Sequence, residues 1–246
     1  MALGILKSLW QGLLDFLYPP VCALCGEPAD FVICQKCAGS LTEMKFAYCP
    51  VCESPIAAEQ NSCPRNHPKG PVDFVRPLAE FDPQHRQLIH ALKYDGLVDI
   101  GKFFGEKIGK IVKSEAHFEE YDFFIPVPLH KNRFRERTYN QAEILAKRAS
   151  DISGKPVITD LVIRTRHTKS QTKLSPAKRR ENVRGAFAVT RPQDVCGKSF
   201  IIVDDVVTTG ATTGEIAKVL LKHGARRVCA VCIAHPQHHE SKMFGI

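Results

Sequence analysis

The segment best equipped for chemistry is Phe200-Ile-Ile-Val-Asp-Asp-Val-Val-Thr-Thr-Gly-Ala-Thr-Thr213. An apolar run ends in two adjacent carboxylates, Asp204 and Asp205, and a turn of Thr208, Thr209, Gly210, Ala211 and Thr212 then opens a helix. Open α/β sheets bind ligands at that end of their strands. Small residues let backbone N–H groups approach an anion, the threonine hydroxyls add donors, and a helix N-terminus adds positive potential, so a phosphate fits the turn. The carboxylates cannot hold a phosphate themselves. They suit the vicinal hydroxyls of a sugar, or a hydrated Mg2+ that they orient. A phosphate turn beside such a pair describes a ribose 5-phosphate.

Charge points the same way. The chain carries a formal +8, but residues 1 to 70 hold five Lys/Arg against six Asp/Glu. The surplus lies in two short segments. Arg164 to Arg184 contain eight basic residues against Glu181 alone, and His130 to Arg137 contain Lys131, Arg133, Arg135 and Arg137 against Glu136. Basicity this local marks a polyanion site rather than a generally basic surface.

Of the ten cysteines, seven precede residue 64. Cys22-x-x-Cys25 and Cys34-x-x-Cys37 are two chelating pairs, the arrangement that presents four thiolates tetrahedrally to Zn2+. Cys49-x-x-Cys52 with Cys63 and His67 offers a second set of three thiolates and one imidazole, although ligands could also pair across the two sets. One or two zinc ions are expected, in a structural role, because four protein ligands leave no open coordination position. Clustered pairs of this kind argue against a secreted disulfide scaffold. Cys229 and Cys232 fall in an apolar strand, where residues three apart face opposite sides, so both read as core thiols; Cys196 reads as a loop thiol.

Elements must hold these groups in place. Residues 1–20 show apolar Leu3, Leu6, Trp10, Leu13, Leu14 and Leu17 at helical spacing, an amphipathic helix whose polar face lacks the basic residues of a membrane-surface helix. No stretch is long enough to span a bilayer. Residues 21–70 are rich in Cys and Pro and look stapled by metal. From residue 71 to 246 strands and helices alternate. Strands are expected at Val75 to Phe81, Asp122 to Val127, Val157 to Arg164, Ala186 to Val189, Phe200 to Val203 and Val228 to Ala234. Helices are expected at Pro83 to Tyr94, Asp99 to Val112, Asn140 to Ser150, Pro176 to Val183 and Thr213 to His223. This order implies an α/β fold with a mainly parallel sheet covered on both faces, behind a small N-terminal module.

The Asp204-Asp205 segment resembles the 5-phosphoribosyl-1-pyrophosphate (PRPP) motif of type I phosphoribosyltransferases. Further segments resemble the ComF/GntX family of competence-associated proteins. These are Leu-Tyr-Pro-Pro-x-Cys22 with the cysteine pairs, Pro126-Val-Pro-Leu-His130 with Arg133, Arg137, Asn140 and Gln141, and Arg164-x-Arg166-x-Thr168-x-x-Gln171-x-x-Leu174 with Arg179, Asn182 and Ala186-Phe187. Thr138-Tyr139 stands where that pattern has Gly-Phe.

The resemblance implies a double zinc ribbon followed by a type I phosphoribosyltransferase-like domain. By position, Asp204 and Asp205 would hold the ribose hydroxyls and Mg2+, and Thr208 to Thr212 the 5-phosphate. Val127, Pro128 and Leu129 would form the pyrophosphate loop, assisted by Arg133 or Arg137. Arg164, Gln171, Arg179 and Asn182 would belong to a mobile loop that closes over PRPP, with Arg179 counted among the catalytic groups.

Three functions compete at this stage. The first is Mg2+-dependent transfer of phosphoribosyl to a nitrogen acceptor, in a cytoplasmic protein associated with DNA uptake. The second is a non-catalytic competence accessory protein that binds PRPP or single-stranded DNA. The third is a scaffold for a partner protein of the competence machinery, which leaves the local charge unexplained.

Overall fold

The computed structural model describes residues 20–57, 60, 63–65, 67–166 and 175–236. The expected helix at 1–20 lies outside them but for Pro20, and so do Thr168, Gln171 and Leu174.

A parallel sheet forms the centre. Its strands are β3 (Val75–Glu80), β4 (Phe123–Pro126), β7 (Ser199–Val206) and β8 (Arg227–His235), adjacent in the order β3, β8, β7, β4. Alternate residues of the inner strands enter opposite cores. Ile201, Val203, Cys229 and Val231 join one buried cluster, and Phe200, Ile202, Ala230 and Cys232 the other. The thiols of Cys229 and Cys232 are thus core groups on opposite faces, as their spacing requires. Helices α2 (Pro83–Tyr94), α3 (Val98–Ser114) and α5 (Gln141–Ser153) cover the first face with Leu88, Leu92, Phe104 and Leu145. Helix α7 (Ala211–Lys222) covers the second with Ile216, Ala217 and Leu220.

The N-terminal module extends this sheet. It contains α1 (Gln35–Ser40), β1 (Ala47–Tyr48) and β2 (Pro55–Ile56), and β1 pairs antiparallel with β3 through Tyr48 and Val75. Its lack of periodicity had hidden these short elements. Arg76, 4% exposed, ties the two parts further by donating to the Met44 carbonyl at 2.9 Å and to the Glu115 carboxylate at 2.7 Å.

One expected strand is split. Of Val157 to Arg164, only Val157 bridges Phe124 in parallel. The chain then turns at Asp160, which Arg191 grips through both carboxylate oxygens at 2.8 Å. Residues Val162–Arg164 (β5) instead pair antiparallel with Phe187–Val189 (β6) in a separate two-stranded sheet. Two further helices stand near the parallel sheet's C-terminal edge: α4 (Lys131–Arg137) after β4, and α6 (Pro176–Val183), capped by the Ser175 side chain.

Candidate functional site

Strand β7 runs three residues further than its apolar core, so Asp204 and Asp205 lie inside it and face opposite sides. Gly210 then takes φ +65 at the N-cap of α7. A side chain there would meet open space, with Thr213 Oγ1 nearest at 3.7 Å, so the backbone angle rather than crowding calls for glycine. The first amides of α7 are left pointing into the space beyond the sheet edge. That space is a cavity of about 480 Å3.

Its walls bring together most of the residues expected from sequence: Val127, Leu129, Arg133, Arg137, Arg164, Arg179, Asp204, Asp205, Thr208, Gly210, Ala211 and Thr212. Three others stand aside. Pro128 lines a neighbouring cavity of about 340 Å3. Thr209 turns its hydroxyl oxygen inward, where it is buried without a hydrogen-bond partner. Asn182 is off the wall, and its backbone carbonyl accepts from Arg166 at 3.3 Å. Sequence reasoning did not propose Lys93, Tyr94 or Phe81 for this cavity, and took Gln141 only as part of a pattern. All four line it.

The acid pair is held from several elements. Asp205 Oδ2 receives Lys93 Nζ of α2 at 2.8 Å and Gln141 Nε2 of α5 at 3.1 Å, while Asp205 Oδ1 receives its neighbour's N–H, from Val206, at 2.7 Å. Asn140 caps α5 by accepting from the Ala142 N–H, and its Nδ2 donates to the Val127 carbonyl at 3.1 Å. The start of α5 therefore fixes both the Val127 loop and Asp205. Burial first and the Asp205 charge second hold the Asp204 carboxyl above the usual carboxylate range, against the opposing pull of Lys93.

Cations line the remaining walls. Arg179 Nη1 donates to Thr208 Oγ1 at 2.8 Å, laying α6 over the glycine turn. The Arg137 guanidinium sits 4.9 Å above the Tyr94 ring, and that of Arg164 lies 5.5 Å from the Phe187 ring. Burial, then the neighbouring Arg133 charge, lowers the Arg164 pKa from its ordinary value. Arginines crowded in this way favour a multiply charged anion between them.

The cysteine sets separate cleanly. The ligand atoms of Cys22, Cys25, Cys34 and Cys37 lie within 4.8 Å of one another, as do those of Cys49, Cys52, Cys63 and His67. Tetrahedral Zn–S bonds of about 2.3 Å imply S···S edges of roughly 3.8 Å. Cys25 and Cys34 are 3.9 Å apart, Cys52 and Cys63 3.4 Å, and His67 Nε2 lies 3.3 Å from the Cys63 sulfur. His67 Nδ1 donates to the Pro68 carbonyl at 2.9 Å, which leaves Nε2 as the ligand atom. The donor sets fit zinc, and no ligand crosses between them.

The chain resembles known proteins over most of its length. Over 222 residues it is 32% identical to the DNA utilization protein YhgH of Escherichia coli K12, spanning 87% of this chain and 96% of that one. The chain belongs to the ComF/GntX family. Residues 13–66 of this ComF/GntX chain match the double zinc ribbon domain, and residues 139–244 the phosphoribosyl transferase domain. It is also 28% identical to competence protein F of Haemophilus influenzae over 200 residues, 78% of this chain and 86% of that one. Among solved structures, glutamine PRPP amidotransferase of Bacillus subtilis aligns with a TM-score of 0.37 at 21% identity, over 55% of this chain and 27% of that one. No helix among the described residues is long and apolar enough to cross a membrane.

Proposed function

We propose that the chain binds PRPP with Mg2+ in the cavity of about 480 Å3 and transfers its phosphoribosyl group to a nitrogen acceptor, in the service of DNA uptake. One observation carries this reading: an acid pair, a glycine phosphate turn and four arginines converge on a single cavity at the C-terminal edge of a parallel sheet. The names of the relatives support the biological setting. The division into residues 1–20, 21–70 and 71–246 remains our working description of the chain. We place it in the cytoplasm, where its ten cysteines, none of them in a disulfide, stay reduced.

In this reading Thr208 and the amides of Gly210 to Thr212 take the 5-phosphate, and the carboxylates take the ribose hydroxyls. The backbone of Val127 to Leu129, with Arg133 and Arg137, takes the pyrophosphate. The hard oxygens of Asp204 and Asp205 suit a hydrated Mg2+, which would supply charge neutralisation to the diphosphate. The C1–O bond to pyrophosphate breaks with its electron pair leaving on oxygen, the C1–N bond forms, and the acceptor nitrogen releases a proton. No protein nucleophile is needed. The arginines and amides stabilise the leaving group electrostatically, and Arg164 and Arg179, both in the basic segment from Arg164 to Arg184, help exclude water.

The test is calorimetric titration of PRPP with and without Mg2+, on the intact protein and on an Asp204→Asn, Asp205→Asn variant. Mg2+-dependent binding that disappears in the variant is the expected result, and absence of binding by the folded, zinc-loaded protein overturns the reading. Pyrophosphate release across a panel of nitrogen acceptors tests turnover; silence across the panel sinks the transfer step and leaves PRPP binding alone.

A further inference from the structure

We infer that the two adjacent acids have separate tasks: Asp204 meets the sugar hydroxyls, while Asp205 is an anchor held by Lys93 and Gln141, which makes Lys93 a positioning residue of the site. This rests on the ribose 5-phosphate reading above and assigns the parts of that site.

The two carboxylates differ in what already holds them. Asp205 is 4% exposed, and both its oxygens are engaged by the protein: Oδ1 by the Val206 N–H, Oδ2 by the Lys93 ammonium and the Gln141 amide. Asp204 is more open and lines the cavity. Its Oδ1 takes the Asp205 N–H at 2.9 Å, and no ion pair reaches it among the described residues. Free acceptor capacity toward a ligand therefore sits on Asp204.

Lys93 is delivered by a rigid element rather than a loop. It lies in the last turn of α2, whose N-terminus is capped by Asp82 and whose Leu88 and Leu92 are fully buried. On the way, Gln87 Nε2 donates to the Ala23 carbonyl of the first cysteine knuckle at 2.8 Å. The helix is thus pinned through its N-terminal half, and beside Lys93 the Tyr139 hydroxyl donates to the Leu92 carbonyl. Two carboxylates on neighbouring residues repel each other, so the ammonium beside Asp205 lets that side chain stay where it is while Asp204 serves the ligand.

Gln141 supplies a second, independent mark of a ligand. Its Nε2 must face the carboxylate, which fixes the amide orientation. The side chain is 5% exposed and lines the cavity, yet its Oε1 is buried with no donor. A hydroxyl brought in by a sugar satisfies that oxygen with a small rotation of the amide.

The experiment compares affinities for ribose 5-phosphate and inorganic phosphate in Mg2+-free buffer, because their ratio isolates the sugar's contribution. Expected results are a ratio near unity in Asp204→Asn, and a fall of about tenfold in both Lys93→Met and Asp205→Asn, equivalent to one lost charge-assisted contact. The Lys93→Met, Asp205→Asn double variant falls no further than either single one, and Lys93→Arg restores most of the ratio. Phosphate affinity stays within about twofold throughout, which shows that the phosphate turn of each variant is intact. Should Lys93→Met not fold, Lys93→Gln, which keeps one donor, is read in its place. An unchanged ratio in the Lys93 variant, losses that multiply in the double variant, or an equal fall in phosphate affinity overturns the assignment. A wild-type protein that does not prefer ribose 5-phosphate to phosphate overturns the ribose reading instead.

Discussion

The Tyr48 hydroxyl of the N-terminal module lies 2.8 Å from Nδ1 of His235 at the end of β8, and the two rings stack with centroids 4.0 Å apart. The same nitrogen is 2.6 Å from the Val207 carbonyl, which can only accept, so Nδ1 carries the proton. One imidazole thereby joins the ribbon to the chain leading into the phosphate turn. Tyr48→Phe keeps the stacking and loses one hydroxyl, and is expected to cost about 1 kcal/mol in urea unfolding. Tyr48→Ala, which also empties a buried ring site, is expected to cost about 3–5 kcal/mol. Equal losses in the two variants would show that the hydroxyl, not the ring, holds the junction.

The ribbon is bound to the rest by more than this ring. Arg76 bridges Met44 and Glu115, Thr42 donates to the Asp82 carboxylate at 2.9 Å, and Lys107 pairs with Glu43. Burial disfavours the ionised Glu115, but hydrogen bonds from His117 and Arg76 outweigh it and hold its carboxyl below the usual range. Loss of the metal is therefore felt throughout the chain. Chelation of zinc should lower stability by about 2 kcal/mol or more, roughly 4–8 °C at this size, in the main unfolding transition. Metal analysis should return two zinc ions per chain. A main transition that does not move on chelation would show the two parts to be independent.

Much of this architecture is legible in the residues because it is local. The Cys-x-x-Cys pairs, the apolar run before Asp204 and the helices from Pro83 and Pro176 each carry their own signal. Asp82 and Ser175 cap those helices. What sequence does not carry is pairing at a distance. Nothing near Lys93 announces Asp205, 112 positions later, because only the packing of α2 on the sheet joins them. The strand expected at Val157 to Arg164 is split for a similar reason: its β propensity is real, but Val157 bridges Phe124 while Val162–Arg164 find their partner in Phe187–Val189, distant in sequence. The strands of the ribbon are two residues long, too short for any period to show.

Helices α3 and α5 touch through glycines. A Cβ on Gly109 would come 2.7 Å from Ile152 Cβ and 2.8 Å from the Ala149 carbonyl, neither of which can swing aside. Gly109→Ala gains up to about 1 kcal/mol of helix propensity, but the overpacking costs about 1–3 kcal/mol. A net loss of stability in thermal unfolding is expected. Because α5 begins at Asn140 and Gln141, reduced PRPP affinity should accompany it. A stabilised Gly109→Ala protein would mean that the helices can part without penalty.

Thr138 occupies the left-handed region at φ +65 between α4 and α5. This is the position where the family pattern has glycine. A β-branched residue there costs about 1–2 kcal/mol, more than the entropy a glycine adds to the unfolded chain. Thr138→Gly is expected to raise stability by up to about 1 kcal/mol, or roughly 2–4 °C. A fall in melting temperature would show that the Thr138 hydroxyl, which donates to the Arg137 carbonyl at 2.6 Å, outweighs the strain.

The acid pair makes the ligand-free protein sensitive to pH. Burial and the neighbouring Asp205 push the Asp204 pKa up to about 8. A carboxyl with a raised folded-state pKa binds its proton more tightly in the native state than in the unfolded chain. Stability is then greatest below the ordinary carboxylate pKa of about 4 and falls as pH rises toward the folded value. Asp204→Asn removes that liability while keeping the shape. It is expected to raise the melting temperature of the ligand-free protein, with a gain that is small near pH 5 and grows up to about pH 8. The same variant loses its preference for ribose 5-phosphate over phosphate, so a gain in stability and a loss of affinity for the sugar arise from one carboxylate. Thermal unfolding of both proteins from pH 5 to 8 checks this. A difference that stays flat, or that shrinks with rising pH, would mean that Asp204 is already ionised and accommodated in the empty site.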